Sequence, residues 1–316
     1  MAHIGWGGLG GPILASDGEH PPDAKGAVPG IAARREPDYL PSFRRIAVSR
    51  ALEAGELVLL TDRKGRRYLL TLVEGGEFHT HAGSVAHDGL IGGPEGTQVR
   101  TTRNAELTVW RPTLRDYVLK MPRGAQVVYP KDSAAILMHA DVFPGARVLE
   151  SGVGSGALSL SLLRAGAVVV GYEVREDFAQ QAVENVTGFL GAKTVDRFQV
   201  EIRDCYQGID AEGLDRIVLD LPEPWRVVPH AAASLRPGGI LVAYTPSIIQ
   251  AVQLREACDS GPWAFASTME VLHRGWHIKG DAVRPEHRMV GHTGFVTAAR
   301  RLADEEINLK ARLRPR

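Results

Sequence analysis

The feature that most constrains the fold of this chain is an apolar strand that runs directly into a glycine-rich turn. Residues 148–150 are Val-Leu-Glu, and residues 151–156 are Ser-Gly-Val-Gly-Ser-Gly. Residues 157–165 then have the apolar spacing of a helix. Glycines at such a turn let the backbone approach a ligand at the N-terminus of the helix. The turn therefore predicts a ligand site at the end of a strand in a parallel sheet.

The rest of the C-terminal half alternates between strand-like and helix-like runs, which predicts an α/β fold with a parallel sheet covered by helices on both faces. A Pro-Gly-Gly at residues 237–239 is expected to end the third helix. The predicted strands are residues 147–150, 168–173, 198–202, 216–219, 240–244, 266–272 and 293–298, and the predicted helices are 157–165, 178–190, 227–235 and 248–258.

The N-terminal half has a different pattern. Short strand-like runs at residues 57–61, 67–73 and 106–111 are separated by glycine-containing turns, which predicts a small β domain. The first residues are rich in Gly, Ala and Pro and lack hydrophobic periodicity. We therefore divide the chain into a flexible extension (1–45), a small β domain (46–115), a catalytic domain (116–303) and a basic tail (304–316).

The charge composition gives no general sign of a nucleic-acid partner, because Lys plus Arg equals Asp plus Glu at 37 each. One local basic cluster, residues 63–67, is read either as a solvated turn or as part of an RNA-binding surface. No apolar run approaches the length of a membrane span, and the first 30 residues lack a secretory pattern, so we expect an intracellular protein. The two cysteines, Cys205 and Cys258, are expected to be reduced.

Acidic residues follow the next two predicted strands. Glu173 closes the second strand about twenty residues after the glycine turn, where its carboxylate can accept both ribose hydroxyls of a nucleoside. Asp204 closes the third strand, where it can accept an adenine amino group. The alternative is structural: helix-to-sheet packing for the glycines, and helix capping or solvation for the carboxylates. NAD is the rival cofactor, but it favours G-x-G-x-x-G, whereas here the third glycine follows after one intervening residue.

That glycine spacing resembles the first motif of class I methyltransferases. Further segments at residues 126–132 (Gln-Val-Val-Tyr-Pro-Lys-Asp), 219–225 (Leu-Asp-Leu-Pro-Glu-Pro-Trp), 291–295 (Gly-His-Thr-Gly-Phe) and 78–81 (Phe-His-Thr-His) closely resemble the tRNA (adenine-58-N1)-methyltransferases, in particular the actinobacterial form. The similarity covers residues 55–302. Two features depart from the family pattern. The link between the first helix and the second strand of the catalytic domain, residues 164–168, is shorter than in the family, and the first forty residues have no counterpart in it.

The resemblance implies a Rossmann-like class I methyltransferase sheet with a small N-terminal β domain, S-adenosyl-L-methionine as cofactor, tRNA as substrate, a homotetramer and a cytoplasmic location. Together with the glycine turn, it implies cofactor contacts at Gln126, Gly152, Val153, Gly154, Ser155, Gly156, Glu173, Phe178, Asp204 and Asp220.

Asp220, at the end of the fourth predicted strand, is the leading catalytic candidate. Its Asp-Leu-Pro-Glu departs from the Asp-Pro-Pro-Tyr/Trp of exocyclic-amine methyltransferases. Adenine N1 has an in-plane lone pair, so positioning is the main requirement, and Asp220 would accept a hydrogen bond from the N6 amino group. The alternative is a carboxylate that serves only the cofactor amine. Tyr129 and Tyr244 would hold the extruded adenine, unless they serve packing alone.

The histidines leave further alternatives open. His292 is expected to line the same pocket or to make a structural hydrogen bond. His79, His81, His87 and Asp88 match no closed zinc pattern, so we expect no metal, and this group is read instead as a contact for RNA phosphates. Three other functions remain possible: methylation of adenine 57 as well, a protein or small-molecule acceptor, or a non-catalytic RNA-binding subunit. The intact glycine turn together with Asp220 argues against the last.

Overall fold

The computed structural model describes residues 50–124 and 126–303, so the predicted extension up to residue 45 and the predicted tail from residue 304 lie outside the described residues. The described residues contain a small antiparallel sheet, a seven-stranded mostly parallel sheet and two hairpins. The domain boundaries at residues 46, 116 and 304 stay predictions.

The small sheet is built from residues that follow the predicted N-terminal pattern. Its strands, in the order β2-β1-β6-β5, are β1 (Leu57–Asp62), β2 (Arg67–Thr71), β5 (Gln98–Arg100) and β6 (Glu106–Trp110), and all pairs are antiparallel. Between β2 and β5 the chain forms a separate hairpin of β3 (Glu77–Thr80) and β4 (Gly83–Ala86). Alternate residues such as Val58, Leu60, Leu107 and Val109 are buried in a separate apolar cluster, as expected of a sheet with one covered face.

The seven-stranded sheet has the order β12-β15-β11-β10-β7-β8-β9. Its strands are β7 (Arg147–Ser151), β8 (Val168–Glu173), β9 (Phe198–Ile202), β10 (Leu214–Asp220), β11 (Leu235–Thr245), β12 (Trp263–Glu270) and β15 (Phe295–Arg301). The first five in the chain are parallel, and β15 is antiparallel to both of its neighbours. The predicted α/β fold with a parallel sheet is confirmed.

The described residues include six α-helices: α1 (Leu114–Lys120), α2 (Pro130–His139), α3 (Ala157–Arg164), α4 (Glu176–Leu190), α5 (Val228–Ser234) and α6 (Ile248–Asp259). Strand residues alternate between two cores. Val148, Val218 and Val242 belong to one apolar cluster, and their neighbours Leu149 and Leu241 belong to the other. The sheet is therefore buried on both faces, which is why its central strands read as continuous apolar runs.

Some elements differ from the sequence prediction. The Pro-Gly-Gly at residues 237–239 does not form a free loop, because α5 ends at Ser234 and β11 begins at once. The register jumps there: Leu214 pairs with Leu235, whereas Arg216 pairs with Ile240. The strand predicted at 266–272 spans Trp263–Glu270, and α1, α2 and a hairpin of β13 (Trp276–Lys279) and β14 (Ala282–Pro285) were not predicted.

Both cysteines are free and buried. Over the described residues, no helix has the length and apolar character needed to cross a membrane.

Candidate active site

The predicted site residues meet where the strand order of the large sheet reverses. Strands β7 and β10 are neighbours, with β8 and β9 following on one side and β11 on the other. Loops leaving the carboxyl ends of β7 and β10 therefore diverge and open a crevice, the usual ligand position in such sheets. The glycine turn follows β7, and Asp220 is the last residue of β10.

The three glycines of the turn all have positive φ, at +85° for Gly152, +54° for Gly154 and +82° for Gly156. A Cβ atom on Gly152 would lie 2.1 Å from the carbonyl oxygen of Asp220, and one on Gly156 would lie 3.2 Å from the backbone of Ala182. A Cβ atom on Gly154 would meet nothing within 4 Å. Gly152 and Gly156 are therefore required for packing, whereas Gly154 borders open space that a ligand can enter.

Glu173 anchors the glycine turn. Its side chain is buried at 7% exposure, and Oε2 accepts a hydrogen bond from the backbone N–H of Gly154 at 2.9 Å. Oε1 accepts from the backbone N–H groups of Val174 and Arg175 at 2.9 and 3.1 Å. Because Oε2 uses only one of its acceptor positions, it retains capacity for a hydroxyl group of a ligand.

A buried asparagine that the sequence analysis missed supports the same turn. Asn185 on α4 donates from Nδ2 to the backbone carbonyl oxygens of Ser155 and Pro122, both at 2.9 Å, and its backbone carbonyl oxygen accepts from the Tyr117 hydroxyl at 3.0 Å. Its presence on the apolar face of an amphipathic helix was the available signal. The buried Ser155 Oγ has no hydrogen-bond partner among the described residues.

Three other predicted cofactor residues occupy more ordinary positions. The Val153 side chain is buried in the core and lies close to Gly171, so it offers a ligand only its backbone. The Phe178 ring lies 3.7 Å below the guanidinium of Arg175. Asp204 caps the short 3-10 helix that follows it, with Oδ1 accepting from the Tyr206 N–H at 2.9 Å. Asp204 therefore caps a helix, as the structural alternative for this carboxylate predicted. Its contact with a cofactor stays a prediction.

The sheet register places three carboxyl groups on one face. Glu150 pairs with Val218 on one side and Gly171 on the other, so Glu150, Asp220 and Glu173 project in the same direction. Burial raises the pKa of Glu150 to about 8, and the charges of Asp220 and Glu173 add to this shift. Burial also raises the pKa of Asp220 to about 7.

Only one of the two carboxyl oxygens of Glu150 has a hydrogen-bond partner among the described residues. Its Oε2 accepts from the Ser159 hydroxyl at 2.6 Å, whereas the buried Oε1 has no partner within the described part of the chain. The raised pKa values of Glu150 and Asp220 have no offsetting cation among the described residues, so this pair favours a positively charged ligand. The sulfonium and ammonium groups of S-adenosyl-L-methionine meet this requirement, so the residues present fit that cofactor.

A cavity of about 300 Å³ opens beside Asp220, and the three predicted catalytic residues line it together with Gln126. Asp220 and Tyr244 are direct register partners on β10 and β11. The Tyr244 side chain is largely buried, which raises the pKa of its phenol to about 12. The lining residues are Gln126, Val127, Val128, Tyr129, Asp220, Tyr244, Pro246, Val290, His292 and Thr293.

A polar network that the sequence analysis did not assign a role supports the back of this pocket. Lys131 donates from Nζ to Asp132 Oδ1 at 2.8 Å, to the Val271 carbonyl at 2.7 Å and to Thr293 Oγ1 at 2.6 Å. Thr293 donates its only hydroxyl proton to Asp132 Oδ2 at 2.7 Å, and Asp132 is fully buried. The Thr293 hydroxyl also interacts with the Tyr244 phenol. The network therefore ties α2, β12 and the loop before β15 to a tyrosine of the pocket.

His292 braces the rim of the pocket. Its Nδ1 lies 2.6 Å from Glu270 Oε1, and its Nε2 lies 2.8 Å from the Pro246 carbonyl oxygen. Hydrogen bonds to both acceptors, Glu270 first, raise the pKa of the imidazole. His292 thus both lines the pocket and makes structural hydrogen bonds, as the two alternatives proposed.

The N-terminal histidines have separate partners. His79 pairs with Glu77, His81 lies 2.9 Å from the Arg66 guanidinium, and His87 Nδ1 accepts from the Val73 N–H. Across residues 50–124 and 126–303, no three His, Cys, Asp or Glu side chains are grouped to hold a metal ion. Contact of these histidines with RNA stays a prediction.

Comparison with known proteins decides the family. Residues 107–284 match the model described as tRNA methyltransferase complex GCD14 subunit, and residues 51–99 match a TrmI-like N-terminal model. The tRNA (adenine(58)-N(1))-methyltransferase TrmI of Thermus thermophilus is 42% identical over 77% of this chain and 96% of its own length. This chain belongs to the TrmI family of tRNA (adenine-58-N1)-methyltransferases.

Two further family comparisons bear on substrate and fold. A Methanocaldococcus jannaschii TrmI, named for adenine 57 and adenine 58, is 34% identical over 77% of this chain and 94% of its own length. The crystal structure of a Thermotoga maritima SAM-dependent O-methyltransferase superposes with a TM-score of 0.77 at 31% identity, covering 81% of this chain and 97% of that one. The predicted class I methyltransferase fold with an additional small N-terminal β region is thereby confirmed.

Proposed function

We propose that this chain transfers a methyl group from S-adenosyl-L-methionine to N1 of adenine 58 in the T loop of tRNA. The observation that carries the proposal is the register pair Asp220 and Tyr244, which lies between the glycine turn and a pocket that Tyr129 also lines. The family name of the Thermus thermophilus relative, which shares 42% identity, supports the choice of acceptor.

S-adenosyl-L-methionine would supply an electrophilic methyl group at this edge of the sheet. The open space at Gly154 and the spare acceptor capacity of Glu173 suit its nucleoside, and the buried carboxyl groups of Glu150 and Asp220 suit its positive charges. Gln126, Phe178 and Asp204 complete the set of residues proposed to hold it. These assignments agree with those that the family resemblance implies.

The pocket suits an adenine more than a hydroxyl acceptor. Adenine N1 attacks with an in-plane lone pair: the N1–CH3 bond forms as the CH3–S bond breaks, and the bond pair remains on sulfur. No proton has to leave the base first, so the protein's tasks are to align N1 and to stabilise the charge that develops on the ring. Asp220 performs both tasks by accepting a hydrogen bond from the N6 amino group.

Tyr129 and Tyr244 receive the base. An adenine in a folded tRNA must leave its stack before a residue at the end of a strand can reach its N1 edge, and aromatic faces offset part of that cost. The Tyr244 ring packs closely against the backbone of Gly294, where a Cβ atom would lie 2.5 Å from Tyr244 Cζ. The glycine of the Gly-His-Thr-Gly-Phe segment is thus required by the position of the Tyr244 ring.

The deciding experiment is nucleoside mapping by mass spectrometry after an unmodified tRNA transcript has reacted with the protein and S-adenosyl-L-methionine. We expect 1-methyladenosine at position 58 and no product from a transcript with guanine at that position. The same map reports whether adenine 57 is also modified. Methylation of a ribose oxygen, a protein or a small molecule in place of the base would overturn the proposal.

Asp220→Ala tests the residue that carries the proposal. Loss of one hydrogen bond to a charged group costs roughly 1.5–3 kcal/mol, or about ten- to a hundredfold in rate. We therefore expect single-turnover methylation with saturating cofactor to slow at least tenfold, a far greater loss than that of the calorimetric affinity for the cofactor. Methylation at the normal rate would transfer the orienting role to Tyr129 or Tyr244.

We also infer a homotetramer that works in the cytoplasm, where its tRNA substrate is located. Support for assembly comes from the β13–β14 hairpin, where Trp276, Ile278 and Val283 are 57%, 73% and 58% exposed. Large side chains exposed together on a protein surface usually mark an interface. A second copy of this chain is the partner that the family resemblance implies.

A further inference from the structure

The β13–β14 hairpin has two chemically different faces. Trp276 pairs with Pro285 and Ile278 pairs with Val283, and residues directly opposite each other share a face of a two-stranded ribbon. The other face carries the pairs His277 with Arg284 and Lys279 with Ala282. One face of the ribbon is thus apolar, and the other, which we call the basic face, carries His277, Lys279 and Arg284.

The basic face is not neutralised by the protein. Lys279 and Arg284 are exposed, and no carboxylate in the described part of the chain forms an ion pair or a hydrogen bond with either of them. The basic cluster of the small sheet is different, because Arg63 pairs with Glu106, Arg66 with Asp62 and Arg67 with Asp116. Within residues 272–290, four Lys or Arg residues stand against two acidic ones, in a chain whose total charge is zero.

The basic face is connected to the proposed acceptor pocket by short segments. The chain leaves β12 at Glu270, where Val271 accepts a hydrogen bond from Lys131, and it returns from β14 to Val290 and His292, which line the pocket. Four-residue strands extend about 13 Å at roughly 3.3 Å per residue. The ribbon therefore extends over about 13 Å between two segments that contact or line the pocket.

We propose that the basic face of the β13–β14 ribbon binds the sugar-phosphate backbone of the tRNA whose adenine enters the pocket. A two-stranded ribbon with both faces in water is marginally stable by itself, so contacts on both faces are expected in the working enzyme. The apolar face suits a protein surface, and the basic face suits a polyanion. This inference rests on the proposed function, because tRNA is the ligand, but it concerns binding away from the reacting base.

The test is to measure tRNA binding by the double variant Lys279→Ala/Arg284→Ala. Binding is monitored by fluorescence anisotropy at a series of salt concentrations from low to moderate. Each phosphate contact contributes about 0.7–0.9 to the slope of log affinity against log salt. We expect the magnitude of the slope to fall by about 1.5 and the Kd at physiological salt to rise roughly tenfold. Cofactor affinity should not change, since no residue of the ribbon's basic face lines the pocket.

The matched control is Arg164→Ala/Lys193→Ala, which removes the same two charge types. Both residues are exposed: Arg164 is the last residue of α3, and Lys193 follows the end of α4. Because both helices begin on the side of the site, these residues lie at the opposite end of the parallel strands. We expect this control to retain the wild-type slope. A second ribbon variant, Lys279→Gln/Arg284→Gln, removes the charges but keeps long polar side chains. It should show the same loss of tRNA affinity and slope as the alanine variant, because charge is the property that binds the backbone.

Three outcomes would overturn the inference while leaving the proposed function intact. They are wild-type tRNA affinity and slope in both ribbon variants, equal losses in ribbon and control variants, or a change in oligomeric mass that accompanies the loss and assigns the basic face to a protein interface. If the wild-type protein itself neither binds nor methylates tRNA, the proposed function fails. That outcome is distinguishable, because it is seen without any ribbon variant.

Discussion

Glu150 shows at the scale of one residue how a site for a cation is prepared within an apolar sheet. Its carboxyl group is fully buried, is held by Ser159 and lies beside two other acidic side chains. Burial without a full set of partners raises the pKa of Glu150 from 4.5 to about 8. The cofactor-free protein therefore keeps a neutral acid at a position where a bound cation favours the ionised form.

This shift predicts a pH-dependent stability difference between the wild type and Glu150→Gln. Between pH 4.5 and about 8 the folded wild type binds a proton that the unfolded chain has released, so its free energy of unfolding falls as pH rises across that window. Glutamine does not titrate. We expect the advantage of Glu150→Gln to grow from pH 5 to 8 and then to remain constant, as measured by thermal unfolding without cofactor.

The comparison isolates Glu150, because the other titrating groups are common to both proteins. An advantage that is the same at pH 5 and pH 8.5 would show that Glu150 has an ordinary pKa in the folded protein. Ser159→Ala is a useful companion, because it removes the one hydrogen bond that Oε2 accepts and favours the neutral acid further.

Thr293 supplies a second test at the residue scale. Its hydroxyl accepts from Lys131, donates to Asp132 and lies against the Tyr244 phenol. Thr293→Val removes the hydroxyl and leaves the buried Asp132 and the partly buried Lys131 each short of one partner, at a cost of about 1–3 kcal/mol in stability. We expect single-turnover methylation to fall at least tenfold because the orientation of Tyr244 is no longer fixed.

Thr293→Ser keeps the hydroxyl and serves as the matched control. We expect it to restore the methylation rate to within about threefold of wild type, since the hydrogen-bonding group is retained. Equal rates for the valine and serine variants would mean that Thr293 contributes only packing to the pocket.

At the scale of elements, the glycine turn combines packing with ligand access, and the two can be separated by mutation. Gly154 borders open space at φ +54°, and Gly145, in the turn before β7, also borders open space at φ +86°. A valine is strained at either position. We expect Gly154→Val to abolish cofactor binding by filling the space the backbone leaves, and Gly145→Val to bind normally, as measured by calorimetry on folded protein.

The control matters because strain alone lowers stability in both variants. If Gly154→Val has the same melting temperature as Gly145→Val and yet binds S-adenosyl-L-methionine with undiminished affinity, the turn is not the cofactor site. Gly152 is unsuitable for this test, since any side chain there collides with the Asp220 backbone.

The elements that the sequence predicted well are those whose pattern is local. Strands β8 and β9 match their predicted limits, because a buried parallel strand is a short apolar run with clear ends. Strand β11 was predicted six residues too short, at residues 240–244 instead of Leu235–Thr245. Its first half contains Pro237 and two glycines and is held by pairing with β10 rather than by its own composition.

The residues of the site also fall into those that the sequence predicted and those that it did not. Asp220 and Tyr244 could be placed in one crevice, because each ends a strand whose position in the sheet is predictable, whereas Tyr129 was assigned to it with the help of the family resemblance. The roles of Lys131, Asp132 and Thr293 could not, because their network joins residues about 160 positions apart. Asn185 was missed for the same reason, since its partners are two distant backbone carbonyls.

At the scale of the whole molecule, a chain with no net charge has to bind a large polyanion. The basic cluster of the small sheet contributes less than its sequence suggests, because three of its arginines are paired with carboxylates. The solvated-turn reading of that cluster is therefore favoured for those arginines. Unpaired cations on several protomers offer another way to build a continuous positive surface.

The prediction that follows is an assembly held by the apolar face of the β13–β14 ribbon. We expect light scattering to give a mass near that of four 34.2 kDa chains for the wild type. Ile278, the most exposed of the large side chains on that face, should be central to the contact. Ile278→Ser is therefore expected to yield smaller species, whereas Val195→Ser, at an exposed apolar position away from the ribbon, should keep the full mass.

Activity completes this test. Smaller species made by Ile278→Ser should bind S-adenosyl-L-methionine with normal affinity, because the glycine turn and Glu173 belong to one chain. They should bind tRNA more weakly and with a shallower salt dependence, because fewer cations then face one RNA molecule. A wild-type protein that is strictly monomeric and fully active on tRNA would show instead that one protomer supplies the whole binding surface.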